Sequence, residues 1–259
     1  MKKTIIALMA LAGVSYAQVQ QPLWDISFID SQCLVTANGV SETVTKDGVN
    51  LTSTSLKIEL LGDTQINNGT CETTANQRVY ITDLSPDITM TDDFSIVIQG
   101  SADTAPANWG VLFGFGNSYN NNIKIANNDS GKLTFLEESV TLSDKNSYLS
   151  TEYATPGTYI ITADAQEGNK SLLSLYYNGK LASTAILDTS NYNGDLAVFS
   201  VGGRIHTNGN STDFSFTNVQ LYSGVLDASA IASLSVPEPA TATLSLLALC
   251  GLAARRRRK

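Results

Sequence analysis

The sequence predicts an all-β protein: a single antiparallel β-sandwich with a short C-terminal helix, framed by an apolar segment at each end of the chain. Three observations point there. From Trp24 onward the chain runs in short alternating or β-branched stretches separated by Gly, Asn, Asp and Ser, the pattern of strands joined by tight turns. No stretch of the body keeps a period near 3.6 until DASAIASL. No repeat unit and no Pro- or Ser-rich linker divides the span, and about 220 residues fall within the size of one sandwich domain.

The first element, residues 1–17, reads MKKTIIALMALAGVSYA. Lys2 and Lys3 precede an apolar run that closes on small residues at Ser15 and Ala17. That order is a secretory signal peptide, with cleavage after Ala17. The last element, residues 236–259, also carries charge out of the account. The whole chain has 16 Lys+Arg against 24 Asp+Glu, but the body retains only 9 basic against 23 acidic residues. An excess of that sign excludes a phosphate-backbone partner, which needs a basic face.

Of the three cysteines, Cys250 lies in the terminal apolar stretch and leaves Cys33 and Cys71 in the body. In an oxidising compartment such a pair predicts one disulfide, the alternative being two buried thiols.

The strands expected in order are VNLTSTSLKIELL, RVYITDL, FSIVIQGSA, WGVLFGFG, NIKIAN, KLTFLEES, TYIITADA, LLSLYYNG, LAVFSVGG and FSFTNVQLY. In the last of these, strict alternation sets Phe214, Phe216, Asn218 and Gln220 on one face and Ser215, Thr217, Val219 and Leu221 on the other. Asp227 is placed to cap a closing helix that runs to Leu234.

The stretch LLSLYYNGKLASTAIL places Asn178 and Gly179 between two strand-like runs, the strongest short hairpin signal. It resembles the "lYvNGkl" hairpin of laminin-G-like, concanavalin A-like jelly-roll domains. WGVLFGFGN, GKLTF, TYIITADAQ, LAVFSVGGR and FSFTNVQLYSGVLDASAIASL follow that family's order, with Tyr159 where the family usually has Trp. The resemblance spans roughly residues 94–234 and, with earlier strands added, implies one jelly roll over residues 18–235. It implies two face-to-face antiparallel sheets, with any ligand site in the rim loops or on the concave sheet.

Several such domains hold Ca²⁺ at the rim with Asp and Asn side chains, and hard cations prefer oxygen ligands. The resemblance thereby makes Asp103, Asn127 and Asp129 calcium candidates, set against the ordinary use of Asx and Gly in turns. No other cofactor is implied. Trp109, Tyr119 and Tyr192 are candidates for stacking on sugar rings, although Trp109 heads a strand-like run.

Catalysis on this fold would resemble the bacterial glucanases, whose paired carboxylates stand two apart on one strand face. Glu137 and Glu138 are adjacent and point to opposite faces, and His206 is the single histidine. No catalytic residue is assigned.

The chain ends VPEPATATLSLLALCGLAARRRRK. Residues 240–254 form an apolar stretch of 15 residues, shorter than the roughly 20 of a comfortable span. Basic residues follow at once and would stay cytoplasmic. Pro237, Glu238 and Pro239, the apolar stretch, and Arg255, Arg256, Arg257 and Arg258 together resemble the PEP-CTERM sorting tail. That resemblance implies recognition by an exosortase, cleavage near Pro-Glu-Pro, and a source that is a diderm bacterium making extracellular polysaccharide. The bland alternative is a permanent anchor.

The sequence therefore predicts an exported envelope or extracellular-matrix protein, held transiently in the inner membrane only through its sorting helix. Its non-catalytic jelly roll would bind glycan or another surface component. A divergent glycoside hydrolase and a purely structural or adhesive coat protein are the alternatives, because this fold hosts all three.

Overall fold

The computed structural model describes residues 20–29, 32–37, 40–44, 49–50, 57–61, 64–73, 78–82, 88–102, 109–118, 121–138, 140–150, 155–190, 194–203, 205 and 212–235. The signal segment with Ala17, the sorting tail with Pro237, Glu238, Pro239 and Arg255 to Arg258, and Asp103, Tyr119, Tyr192 and His206 lie outside the described residues.

Eighteen strands and one helix follow in chain order among the described residues: β1 (Trp24–Ile29), β2 (Gln32–Ala37), β3 (Val40–Val44), β4 (Val49–Asn50), β5 (Lys57–Leu61), β6 (Gln65–Asn67), β7 (Thr70–Thr73), β8 (Arg78–Thr82), β9 (Phe94–Ala102), β10 (Val111–Gly116), β11 (Asn122–Asn127), β12 (Leu133–Glu138), β13 (Thr141–Ser147), β14 (Gly157–Gln166), β15 (Lys170–Tyr177), β16 (Lys180–Asp188), β17 (Val198–Val201), β18 (Phe214–Ser223) and α1 (Ala228–Leu234). They form two antiparallel sheets. The larger has 11 strands in the order β13-β16-β15-β14-β9-β18-β1-β2-β3, with β7 also on β18 and β6 on β7; the smaller has 7, in the order β12-β11-β10-β17-β8-β5-β4. The sheets face each other across one apolar core, the arrangement of a concanavalin A-like sandwich. The run VNLTSTSLKIELL divides into β4 and β5 instead of forming one strand.

The core gathers aromatic rings. Tyr159, standing where a Trp was expected, is fully buried, with ring centroids 5.1 Å from Phe113, 4.8 Å from Tyr177 and 5.8 Å from Phe214. Phe113 meets Phe214 edge to face at 5.1 Å, and Phe28 meets Phe216 the same way at 5.1 Å. Each such pair adds about 0.5–1.5 kcal/mol beyond burial of its area.

Strict alternation fails in β18, and the failure is informative. The register with β9 shifts between Phe216 and Asn218, a bulge that turns the chain by one residue. Phe214, Phe216, Val219 and Leu221 consequently all enter the core, where simple alternation divides them between faces. Asn218 and Gln220 point outward, and their amide groups donate to the two carboxylate oxygens of Asp25 at 2.5 and 2.7 Å.

Asn178 and Gly179 have φ of 49° and 75°, so both central residues of the hairpin occupy the left-handed region that this turn demands. The Asn178 side chain accepts from the Thr158 N–H at 2.9 Å, tying the turn to β14. Helix α1 lies on the outer face of the larger sheet, where Ala230 and Ile231 cover Val97, Ile160, Tyr222 and Leu226. Asp227 caps it, accepting from the Ala230 N–H at 2.8 Å. The helix finishes beside the hairpin: Thr158 Oγ1 donates to the Leu234 carbonyl at 3.1 Å, and Ser235 is buried against Gly179.

The strands have two ends, and each collects a set of connections. The exit rim, where Ser235 leaves the body, holds the turn at residues 128–131, the Asn178 and Gly179 hairpin, and the ends of β9, β13 and β17. The distal rim holds Asn117 and Ser118, the turn at residues 167–169, and the approach to β17 from Gly194.

The expected disulfide is absent. Cys33 and Cys71 are both free and fully buried. Register sets Cys33 opposite Phe28 and Cys71 opposite Phe216, so both sulfurs face apolar surroundings. Burial pushes the Cys33 thiol up to about 12; burial, then the charges of Cys33 and Glu72, push Cys71 still higher. The thiolate is the species that forms a disulfide, and here it is suppressed.

Candidate functional site

The outward face of the seven-stranded sheet is the place where chemistry accumulates. Alternation in NIKIAN sends Ile123 and Ile125 into the core and Asn122 and Lys124 outward. One row across the sheet runs Glu59, Tyr80, Ser200, Gly114, Lys124, Leu136, from β5 to β12. The next row brings Thr82, Val198, Gly116 and Asn122 into line.

An outer sheet face normally meets water and is polar for that reason. This one is polar yet covered: Asn122 and Ser200 are fully buried, and Lys124 is only 5% exposed. The chain after β17 supplies part of the cover. Ser200 Oγ donates to the Gly203 carbonyl at 2.8 Å, and Ile205 lies over Gly114 so closely that a Cβ there would be 3.1 Å from its Cγ1 and 2.9 Å from Ser200 Oγ. Glycine at 114 is therefore what lets this segment settle on the sheet.

Amide, hydroxyl and ammonium groups lie together beneath this cover, with half-buried Tyr80 beside them, and a polyhydroxylated ligand would reach them only by displacing the segment after β17. On the neighbouring edge strand Glu137 is held by Lys145 at 2.8 Å. The backbone of Glu138 pairs with Asn122 and that of Glu137 with Ile123.

The structure separates the other candidates. Trp109 does not belong to a strand. It precedes β10 with φ of 64°, is 37% exposed, and donates its N–H to the Asn127 carbonyl at 2.9 Å. It stands on the exit rim. The chain segments flanking Tyr119 and Tyr192 meet on the distal rim instead, where Gly194 packs on the Asn117 side chain and the Ala197 N–H donates to the Gly116 carbonyl at 2.9 Å. Trp109 and the described residues beside those two positions thus lie at opposite ends of the strands.

Of the calcium candidates, Asn127 is a buried residue at the end of β11 and Asp129 is exposed at the tip of the following turn. Asn128, between them, closes that turn by accepting from the N–H groups of Ser130 and Lys132 at 2.9 and 3.0 Å. Among the described residues, no group of three or more His, Cys, Asp or Glu side chains gathers as a metal cluster would.

Sequence reading did not single out Asn122, Lys124 and Ser200. Period two shows which way they point. It does not show that the segment after β17 folds back to cover them, because that is a long-range contact with no local signal.

Protein-family models match residues 73–232 to the concanavalin A-like lectin/glucanases superfamily and residues 235–259 to the PEP-CTERM protein-sorting motif. The comparison with curated proteins finds no match. Similar solved structures include the Trypanosoma rangeli sialidase in complex with the inhibitor DANA, with TM-score 0.54 and 14% identity, covering 82% of this chain and 32% of that one. Domain 4 of AbnA, a GH43 extracellular arabinanase from Geobacillus stearothermophilus in complex with arabinotriose, has TM-score 0.53 and 13% identity over 71% of this chain and 91% of that one. The receptor binding domain of a botulinum neurotoxin C/D mosaic serotype has TM-score 0.51 and 12% identity over 82% and 50%. The chain spans about a third of the sialidase, and identities this low show a common fold alone. The sorting motif marks an exported envelope protein processed by an exosortase. By its sandwich and its family match, the chain belongs to the concanavalin A-like lectin/glucanases superfamily and carries a PEP-CTERM sorting tail.

Proposed function

We propose that the exported body is a non-catalytic saccharide-binding module that carries its ligand on the outward face of the seven-stranded sheet. The observation behind this reading is the polar row of Asn122, Lys124 and Ser200, which the segment after β17 covers and which a ligand would meet on displacing that segment. Sugars are recognised by converging hydrogen bonds on a surface that excludes bulk water. The ligands bound in two similar structures, arabinotriose and the inhibitor DANA, fit the same ligand class. In this reading the tail delivers the module to the envelope, loses its apolar segment to the exosortase, and leaves the body in contact with extracellular polysaccharide.

The test is a glycan array probed with the tail-processed protein, repeated with Asn122→Leu and Lys124→Met. A saccharide retained by the parent and lost by both variants, each melting within a few degrees of the parent, is the expected result. An array without hits, or binding unchanged in both variants, overturns the assignment. Release of new reducing ends from a bound oligosaccharide would move the protein to the hydrolases.

A further inference from the structure

The position at which the chain leaves the body says what lies next to it. The described residues end at Ser235, pinned on the exit rim by the Thr158 to Leu234 hydrogen bond and by burial against Gly179. Residues 236–239 are all that separate this point from the apolar stretch at 240–254. Four residues reach at most about 14 Å even when fully extended. While the tail is in the bilayer, the exit rim is therefore the part of the body nearest the lipid.

The composition of that rim is a second and independent observation. Five large hydrophobic side chains are exposed among the described residues: Ile29, Trp109, Tyr148, Leu181 and Val225. Val225 follows β18 at the distal rim. The other four are on the exit rim. Ile29 ends β1 at the level of Phe216, Trp109 bonds the end of β11, Tyr148 donates its N–H to the Ala182 carbonyl, and Leu181 follows the 178–179 hairpin. Trp and Tyr are the side chains that favour the headgroup level of a bilayer. Lys132 and Lys180 stand at the same end, where an anionic surface would attract them.

These anchors are not one patch. Leu181 and Ile29 lie five strands apart in the larger sheet, roughly 24 Å at the usual strand spacing. Trp109 lies just before β10 of the other sheet. Apolar tips spread over the end of a sandwich match a flat partner better than a pocketed one. We infer that the exit rim is a bilayer-contact surface, with Trp109, Tyr148, Leu181 and Ile29 seated at the headgroup level and the distal rim directed away from the membrane. This rests on the membrane-held precursor of the proposed function and adds the orientation of the body.

The experiment uses the precursor that begins at Gln18 and keeps its tail, in vesicles of zwitterionic and anionic phospholipid that carry a nitroxide on the headgroup. Cys250→Ser removes the accessible thiol, and one fluorophore is placed through Ser130→Cys on the exit rim or Glu167→Cys on the distal rim. The expected result is loss of most fluorescence at position 130 and none at 167. A flexible Gly/Ser spacer of about 20 residues, with a root-mean-square span of about 25 Å, is then inserted after Ser235. Quenching at 130 should survive the spacer, and should disappear when Trp109→Ser, Tyr148→Ser and Leu181→Ser are added to it.

Flotation of the precursor with the vesicles, read in parallel, separates the two ideas. Flotation with equal quenching at both positions, or with quenching at 130 that the spacer abolishes, overturns the contact surface and leaves the tethered precursor standing. Failure to float overturns the tether and the orientation together.

Discussion

Burial governs the two thiols of the body. Cys33 and Cys71 act as small apolar residues, so the melting temperature should be the same with and without reductant, and iodoacetamide should label neither until the protein unfolds. Both thiols and the Tyr222 hydroxyl, which burial and then the charge of Asp25 push up to about 12, hold their protons more tightly in the fold than in the unfolded chain. Their contribution is complete below the unfolded values of 9.0 and 10.0 and is lost as pH rises toward 12. A thermal-melting series across that window should fall steadily, and a flat profile would contradict the burial. Asp188 and Asp227 work in the opposite direction. Hydrogen bonds from the Ser190 hydroxyl and N–H hold the first below the usual carboxylate range, and those from the Ser229 hydroxyl and the Ala230 N–H hold the second. Their share is present at neutral pH and disappears as pH falls through those depressed values. At Gly114 a methyl group meets Ile205 and Ser200. Gly114→Ala should cost about 1–3 kcal/mol as overpacking does and should displace the cover of the polar row. Sequence made the apolar character of these residues plain, but a cysteine's partner depends on which strands become neighbours, and spacing in the chain does not state that.

At the level of elements, the NG hairpin, the Asp227-capped helix and most strands were legible because turn chemistry and alternation are local properties. β18 was legible as a strand but not in its facing, since its bulge answers to the register of β9 and not to its own residues. That bulge brings Phe214 and Phe216 into the ring cluster with Phe113, Tyr159 and Phe28. Phe214→Ala should destabilise by about 3–5 kcal/mol, several times the effect of an exposed substitution such as Thr217→Ala, as chemical denaturation would show. Trp109 was misplaced for a similar reason. Its left-handed backbone is fixed by the bond to Asn127, a partner from another strand.

For the whole molecule, the sandwich and the sorting tail could be read from ordered motifs, whereas the covered sheet face and the two rims could not, because they arise only when distant segments are brought together. The order in which the central strands are made has a further consequence. β18, the last strand among the described residues, lies inside the larger sheet between β9 and β1 and also carries β7. A chain lacking it has no bridge between β1 and β9. A truncation ending at Asp213 should accordingly remain protease-sensitive and lack cooperative melting, while one ending at Ser235 should melt like the intact body. Synthesis delivers residues at about 5–20 per second, so the precursor spends seconds without its central strand. During that interval it has no complete sandwich to unravel. A secretion channel that passes only open chain thus receives a polypeptide whose own topology delays closure until the strand that joins β9 to β1 has been made.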